Sequence, residues 1–337
     1  MKEAYLYKEL NNNKVRCLNC AHYCEIPPNQ KGICSVRKNI NGKLYSLVYG
    51  KLAAINIDPI EKKPLFNFLP GSFSLSIATM GCNFRCLNCQ NWQISQGPKL
   101  KDEIRGEEMT PDEIVEIALK SNLPSISYTY TEPTVFLEYA LDTMKIAKQK
   151  GLKNIWVSNG YFSKETFNLV SPYLDAINID LKGFSEKFYQ KVCGAKLKPV
   201  LETLKRLKNK KIWTEVTTLV IPTFNDDEKT FKNIAEFIKN ELGPETPWHI
   251  SQFSGVISWQ LQKIKDTPLE TIEKAYQIGK KASLKYVYVG NVFGHKGENT
   301  YCPKCEKLII ERIGYSVKRY DKNRECPECG ASLDIID

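Results

Sequence analysis

Eleven of the twelve cysteines in this chain fall into three clusters, and only Cys193 stands alone. The two outer clusters have four members each: Cys17, Cys20, Cys24 and Cys34, then Cys302, Cys305, Cys326 and Cys329. Four thiolates close the shell of a tetrahedral zinc ion or complete a cubane iron–sulfur cluster. The middle cluster lies in Met80-Gly-Cys-Asn-Phe-Arg-Cys-Leu-Asn-Cys-Gln-Asn-Trp92 and has three members, Cys82, Cys86 and Cys89, spaced C-x3-C-x2-C. Three thiolates on one short loop hold three corners of a [4Fe–4S] cluster and leave the fourth iron open to a substrate or cofactor. The chain is therefore expected to fold around metal, with one open site between two closed ones. A zinc knuckle or three structural thiols would use the same residues without that chemistry.

The N-terminal set sits in a segment poor in apolar residues, so metal binding is expected to supply much of its folding energy. Zinc is the preferred reading, and an auxiliary iron–sulfur cluster is the alternative. His22 lies inside this set and reads as a neighbour of the site rather than a ligand. The C-terminal set, Cys302-Pro-Lys-Cys305 and Cys326-Pro-Glu-Cys329, has the spacing of a zinc ribbon. The intervening Ile309–Val317 reads as its hairpin. Two zinc sites are expected in all.

Met1-Lys-Glu-Ala-Tyr-Leu-Tyr lacks the apolar core of a signal peptide. No apolar run approaches the ~18 residues of a membrane span. A cytoplasmic protein with no membrane partner is expected, in which cysteines serve metal or redox chemistry rather than disulfides. The net charge of +10 reads as a lysine-rich solvated surface and leaves nucleic acid open as a partner. In the basic run Lys196–Lys211, Val200, Leu201, Leu204 and Leu207 form a helical apolar stripe, so its lysines face solvent.

Strands and helices alternate from Phe73 onward, which argues for an α/β fold with a parallel sheet. Phe73–Thr79 leads into the cysteine loop. Further strands are expected at Ser125–Tyr130, Asn154–Val157, Ala176–Asp180, Ile212–Val220, Trp248–Phe253 and Tyr286–Val289. Thr110-Pro-Asp-Glu113 and Thr267-Pro-Leu-Glu270 read as capping boxes that open helices. Six βα units and a trailing strand predict a partial barrel, open on one side. Three parts follow: a metal segment with a β-hairpin over 1–70, the barrel over 71–295, and a ribbon module over 296–337. The hairpin is expected from Lys43–Tyr49 and Leu52–Ile57, turned by Gly50-Lys51. The Pro-punctuated connector 58–70, with Lys62, Lys63, Phe66 and Phe68, would lead directly into the strand Phe73–Thr79.

Parallel barrels keep their chemistry at the C-terminal ends of their strands. The cysteine loop follows the first strand. Tyr130-Thr131-Glu132 closes the second, Ser158-Asn159-Gly160 the third, Asp180-Leu-Lys182 the fourth, and Val220 the fifth; His249 lies on the sixth. A carboxylate suits an ammonium, a lysine suits a carboxylate, and an amide suits hydroxyls. The bland alternatives are a helix-capping Thr-Glu pair and a structural histidine.

The cysteine loop resembles the signature of the radical S-adenosylmethionine (radical SAM) superfamily. That resemblance implies a partial (β/α)6 TIM-like barrel and S-adenosylmethionine chelated to the open iron of a [4Fe–4S] cluster. It implies reductive cleavage of that cofactor to a 5′-deoxyadenosyl radical, which abstracts hydrogen from a protein or small molecule. Asn88 stands where the family usually has an aromatic residue. Tyr130-Thr131-Glu132 occupies the place of a Gly-Gly-Glu motif, with Glu132 toward the methionyl amino group. Asn159 and the Asp180/Lys182 pair resemble the glycyl-radical activases, such as pyruvate formate-lyase activating enzyme, where they serve ribose and carboxylate. By the same resemblance Val220 would flank the adenine and His249 would line the site.

Further motifs are similar to the radical SAM component of the AmmeMemoRadiSam system: Asp58-Pro-Ile-Glu-Lys-Lys-Pro64, Tyr128-Thr-Tyr-Thr-Glu-Pro133, Tyr288-Val-Gly-Asn-Val292 and Gly297-Glu-Asn-Thr-Tyr-Cys302. This implies Memo-like and AMMECR1-like partners. An electron donor such as ferredoxin or flavodoxin is also implied.

Overall fold

The computed structural model describes residues 1–337. Nine strands form its main sheet: β1 (Lys51–Pro59), β2 (Phe73–Thr79), β3 (Glu107–Glu108), β4 (Ser125–Tyr128), β5 (Lys153–Ser158), β6 (Ala176–Asp180), β7 (Trp213–Val220), β8 (Trp248–Gln252) and β9 (Val287–Gly290). Their spatial order is β9-β8-β7-β6-β5-β4-β2-β1-β3. From β2 to β9 every pairing is parallel, whereas β1 runs antiparallel to β2 and β3 antiparallel to β1. No pairing joins β9 back to β1 or β3, so the barrel is open, as the alternation predicts. No helix is long and apolar enough to cross a membrane.

Strand residues alternate between two faces. Leu75, Ile77, Ile126, Tyr128, Trp156, Ile177, Ile179, Val216, Trp248 and Ile250 join one large apolar core beneath the helices. The opposite face, toward the barrel axis, is polar and buried: Ser74, Ser76, Ser125, Ser127, Asn178, Glu215, Thr217 and His249. The helix Pro111–Lys120 starts on the expected capping box, with Thr110 and Glu113 bonding each other's main chain.

Two local expectations fail. Lys43–Ser46 does not turn at Gly50 onto the next strand. It pairs with Arg37–Ile40 instead, through Asn41-Gly42 with both residues at positive φ (51° and 88°). Asn-Gly is the stronger hairpin signal, because both central residues tolerate left-handed backbone. Released from that pairing, β1 joins the main sheet against β2. The second capping box also does not form, and the helix Leu269–Lys281 opens without a side-chain cap. Thr267 Oγ1 instead donates to the Val220 carbonyl (2.5 Å) and accepts from Phe253 N (3.1 Å).

The connector 60–69 closes the N-terminal end of the barrel. Glu215 accepts from Phe66 N and Asn67 N, each at 2.9 Å, and Asn178 Nδ2 donates to the Pro64 carbonyl at 2.7 Å. The C-terminal module docks on the same segment. Arg312, buried, lies 4.3 Å over the Phe66 ring and donates to its carbonyl at 2.7 Å. The module has its own small core of Ile309, Ile310, Leu333 and Ile335 beside the cysteines, and its hairpin, Leu308–Ile313 with Ser316–Arg319, forms as expected.

Candidate active site

Gly81 lets the chain leave β2 and turn into the cysteine loop. Its φ is +102°, and a Cβ there would lie 2.6 Å from Val36 Cγ1 and 3.3 Å from the Cys34 carbonyl oxygen. The loop is then fastened to the ends of the next strands. Arg85 N and Leu87 N donate to the carbonyls of Cys193 and Val192, both at 2.9 Å, along the π-turn Tyr189–Cys193. Phe84, buried, packs edge-on to Tyr161 at 5.2 Å. Asn91 Nδ2 donates to the Tyr130 carbonyl at 2.9 Å. Asn159 Nδ2 donates to Asn83 Oδ1 at 2.7 Å.

The loop thiols fit a cluster. All three lie at the C-terminal end of the first parallel strand, in the polar company that iron–sulfur ligands use to tune potential. Phe84 N reaches Cys82 Sγ at 3.4 Å, Asn159 Nδ2 reaches it at 3.9 Å, and Ser95 Oγ meets Cys89 Sγ at 3.2 Å. Burial pushes the Cys82 and Cys89 thiols up. At Cys86 the neighbouring thiol of Cys193 is the first cause of an upward shift, followed by burial. A cationic cluster offsets that cost, since its ligands must be thiolates.

The predicted cofactor residues divide into three groups. Glu132, Ser158, Asn159, Asp180 and Lys182 gather around the loop. Glu132 is buried and ties the ends of β4 and β5 together. Its Oε1 accepts from Thr134 Oγ1 (2.6 Å), Thr134 N (3.2 Å) and Ser158 Oγ (2.9 Å), and its Oε2 accepts from Asn159 N (2.9 Å). Burial raises its pKa against those bonds. Lys182 pairs with Asp180 at 2.8 Å. Burial opposes its charge, yet Asp180, Cys86 and Cys193 around it hold its pKa well above the ordinary value.

Tyr130 and Thr131 form the second group, which meets the rim through the Tyr130 carbonyl and the Thr131 hydroxyl. Tyr130 sits at φ +59°, the conformation that a glycine would adopt without strain. Its hydroxyl points away from the loop and donates to Asp58. Asp58 also takes Lys62 (2.7 Å) and the buried Lys63 (2.5 Å). Thr131 Oγ1 donates to the Thr79 carbonyl at 2.9 Å.

Val220 and His249 form the third group, and the structure does not bring them to the rim. Val220 ends β7, but its side chain lies in the core under the helices. His249 is the second residue of β8, at the opposite end of the barrel, bonded to Glu215 at 2.6 Å and packed on Phe66 at 4.7 Å. A strand histidine one residue from the strand start belongs to the floor. The helix-facing parity of Val220 follows from the same alternation.

Sequence reasoning missed Asn83, Asn91, Ser95 and Cys193, which surround the thiols. The repeated asparagines around the loop were a signal for the first two; nothing local marks Cys193.

The C-terminal cysteines converge, with all four sulfurs within 4.8 Å of one another. The N-terminal four line one hollow with Ile26, Ile33 and Val135.

A family model described as the Radical SAM superfamily matches residues 76–238. An uncharacterized protein of Methanocaldococcus jannaschii is 49% identical over 339 residues, covering 100% of both chains. The pyruvate formate-lyase 1-activating enzyme of Escherichia coli is 21% identical over 62% of this chain and 89% of its own. Among solved structures, a radical SAM methyltransferase from Sphaerobacter thermophilus superposes with TM-score 0.51 at 12% identity, over 72% of this chain and 71% of that one. That likeness speaks to the fold alone.

Proposed function

The chain belongs to the radical SAM superfamily, with homology to the pyruvate formate-lyase activating enzymes, and from that premise we propose that it acts on its substrate by hydrogen abstraction. When bound at Cys82, Cys86 and Cys89, a [4Fe–4S] cluster supplies the electron that cleaves S-adenosylmethionine to a 5′-deoxyadenosyl radical. The protein's own task is to seat the cofactor. Lys182 offers an ammonium to a carboxylate, and Asp180 and Asn159 offer hydrogen bonds to hydroxyls. Glu132 Oε2 accepts one bond in the folded chain, which leaves it capacity for an ammonium. The observation that carries this reading is the stitching of one three-cysteine loop to the ends of β4, β5 and β6 through Asn91, Asn159 and the π-turn.

We further propose an activase-like reaction on a protein substrate in the cytoplasm, with Memo-like and AMMECR1-like partners and a ferredoxin or flavodoxin as donor. The first test is chemical. Anaerobically reconstituted protein, given S-adenosylmethionine and dithionite, should release 5′-deoxyadenosine. The Cys82→Ala/Cys86→Ala/Cys89→Ala variant should fall to the level of buffer. Cleavage retained by that variant would mean that the radical site lies elsewhere.

A further inference from the structure

We infer that the free edge of β1 takes an extended, uncharged segment of a protein substrate as an added strand. β1 walls one side of the barrel's opening, and its outer edge is nearly bare. β3 pairs with it only at Lys51 and Leu52. Beyond Leu52 no other segment pairs with it on the side away from β2. The register shows which groups are left free. Ile60 N donates to the Ser72 carbonyl at 2.9 Å. The pairs run back from there as Pro59–Phe73, Asp58–Ser74, Ile57–Leu75, Asn56–Ser76 and Ile55–Ile77. In an antiparallel pair every second residue bonds across to the partner strand, and the others point away. Asp58 and Asn56 therefore bond to β2, while Ile55 and Ile57 turn N–H and C=O to the open edge. Pro59 shares that outward parity, where its missing N–H costs the sheet nothing. Exposed edges are ordinarily blunted by charge, proline or a bulge. Here a register shift at Ala53 and the proline at 59 close the two ends, and Ala53-Ala54-Ile55-Asn56-Ile57 between them carries no charge.

The slot also has an anchoring face. Ile57 and Phe73 share the helix side of the sheet with Leu75. They are 51% and 50% exposed, and with Leu123 and Pro124 they line a cleft of about 550 Å³. Two side chains of an added strand, at alternate positions, would lie on them, while main-chain bonds hold the segment to Ile55 and Ile57. The side chain between those two faces the barrel axis beside Asn56, whose neighbour across the pair is Ser76. The slot begins just below Leu52, which stands opposite Thr79, three residues before Cys82. The segment thus runs down from the cysteine loop. A charge in it would be desolvated without a partner, so the slot selects an uncharged stretch. A second copy of this chain does not fit. Two-fold antiparallel pairing of Ile55 with Ile57 would set Ile60 and Glu61 of the second copy opposite Leu52 and Lys51 of the first. Glu107 and Glu108 already stand there. A free segment can bend away before β3. That the segment belongs to a substrate rests on the proposed hydrogen abstraction; the slot itself does not.

The experiment uses a dye-labelled, capped heptapeptide of alternating valine and threonine, read by fluorescence anisotropy on the full-length protein. Saturable binding is expected. The same peptide N-methylated at its valines, the residues that would face Ile55 and Ile57, keeps its side chains and loses its donors. It should bind about tenfold more weakly. Ile57→Pro removes the matching donor from the protein, at the parity where Pro59 is already accepted, and should weaken the peptide by about the same factor. Should Ile57→Pro not fold, Ile57→Lys replaces it, because a lysine on an exposed edge blunts pairing. Both variants should release 5′-deoxyadenosine with dithionite as the unaltered protein does. No binding to the unaltered protein, equal binding of the methylated peptide, or unchanged binding by the folded variants overturns the added strand. So does an unaltered protein that sediments as a dimer while Ile57→Lys sediments as a monomer, since the edge would then belong to a second copy. Peptide binding without 5′-deoxyadenosine would fault the radical reading and leave the slot standing. Cleavage without peptide binding would fault the slot alone.

Discussion

Glu132 and Glu215 are both buried carboxylates, each accepting four hydrogen bonds, at opposite ends of one barrel. At the floor, Glu215 divides its bonds evenly. Oε1 takes Asn67 N (2.9 Å) and Trp213 Nε1 (3.0 Å), and Oε2 takes Phe66 N (2.9 Å) and His249 (2.6 Å). With two acceptor positions per oxygen, it is saturated. At the rim, Glu132 crowds three donors onto Oε1 and leaves Oε2 with one. Burial and bond number are therefore the same for both acids; what differs is the distribution of donors. The floor is a closed polar joint between the connector, the sheet and the C-terminal module. The rim is a polar joint with capacity left over.

The largest effect expected is at the floor. Glu215→Ala should strand four donors, three of them buried, and destabilise the fold by about 3–5 kcal/mol, the range for removing one partner of a buried charged network. Denaturant unfolding measures it. The protein that remains folded should bind S-adenosylmethionine as the unaltered protein does. Glu132→Ala should also destabilise, and in addition weaken cofactor binding in the folded fraction. If Glu215→Ala weakened binding and Glu132→Ala did not, the assignment of the two ends would be reversed.

Lys182→Ala comes next and acts on the rim alone. A charged hydrogen bond contributes about 1.5–3 kcal/mol, so the dissociation constant should rise roughly ten- to a hundredfold. Iron content should be unchanged. Titration of the reduced cluster's magnetic resonance signal with S-adenosylmethionine reads both. Unaltered affinity would return Lys182 to a purely structural role as the partner of Asp180.

The difference between the two ends also marks what the sequence made legible. The strands, their parallel order and the cysteine loop were readable, because period-2 alternation and metal spacing are local signals. The residues that follow strand ends were readable for Glu132, Asn159, Asp180 and Lys182 for the same reason. His249 and Val220 were misplaced because a strand's own sequence does not fix its depth in a barrel or the face that meets the helices. Those follow from register, which needs the neighbouring strands. Cys193 was invisible because only the π-turn carries it to Cys86. The floor was missed altogether, since its connector read only as a link into β2 and its partner, Arg312, lies 246 residues from Phe66.

The smallest effect concerns the residue that spans both ends. Tyr130 gives its carbonyl to Asn91 at the rim and its hydroxyl to Asp58 behind it. Lys63 stands 4.8 Å over its ring. Burial, and then the bond to Asp58, pushes the phenol to about 12, so it stays a donor at neutral pH. If Tyr130 serves as a strut, Tyr130→Phe should keep the backbone, the ring and the Lys63 contact and lose two hydrogen bonds, the one to Asp58 and the one accepted from Asn56 Nδ2 at 3.2 Å. The cost should be about 1–2 kcal/mol of stability, the net value of two bonds in a half-buried setting. Asp58 retains Lys62 and Lys63, so its carboxylate stays paired. Cofactor affinity should move less than about twofold, well under the tenfold that ~1.4 kcal/mol represents. If the hydroxyl instead reached S-adenosylmethionine, affinity would fall while stability held. The two measurements on one variant therefore decide whether the side chain at this glycine-like position is part of the site or part of the scaffold beneath it.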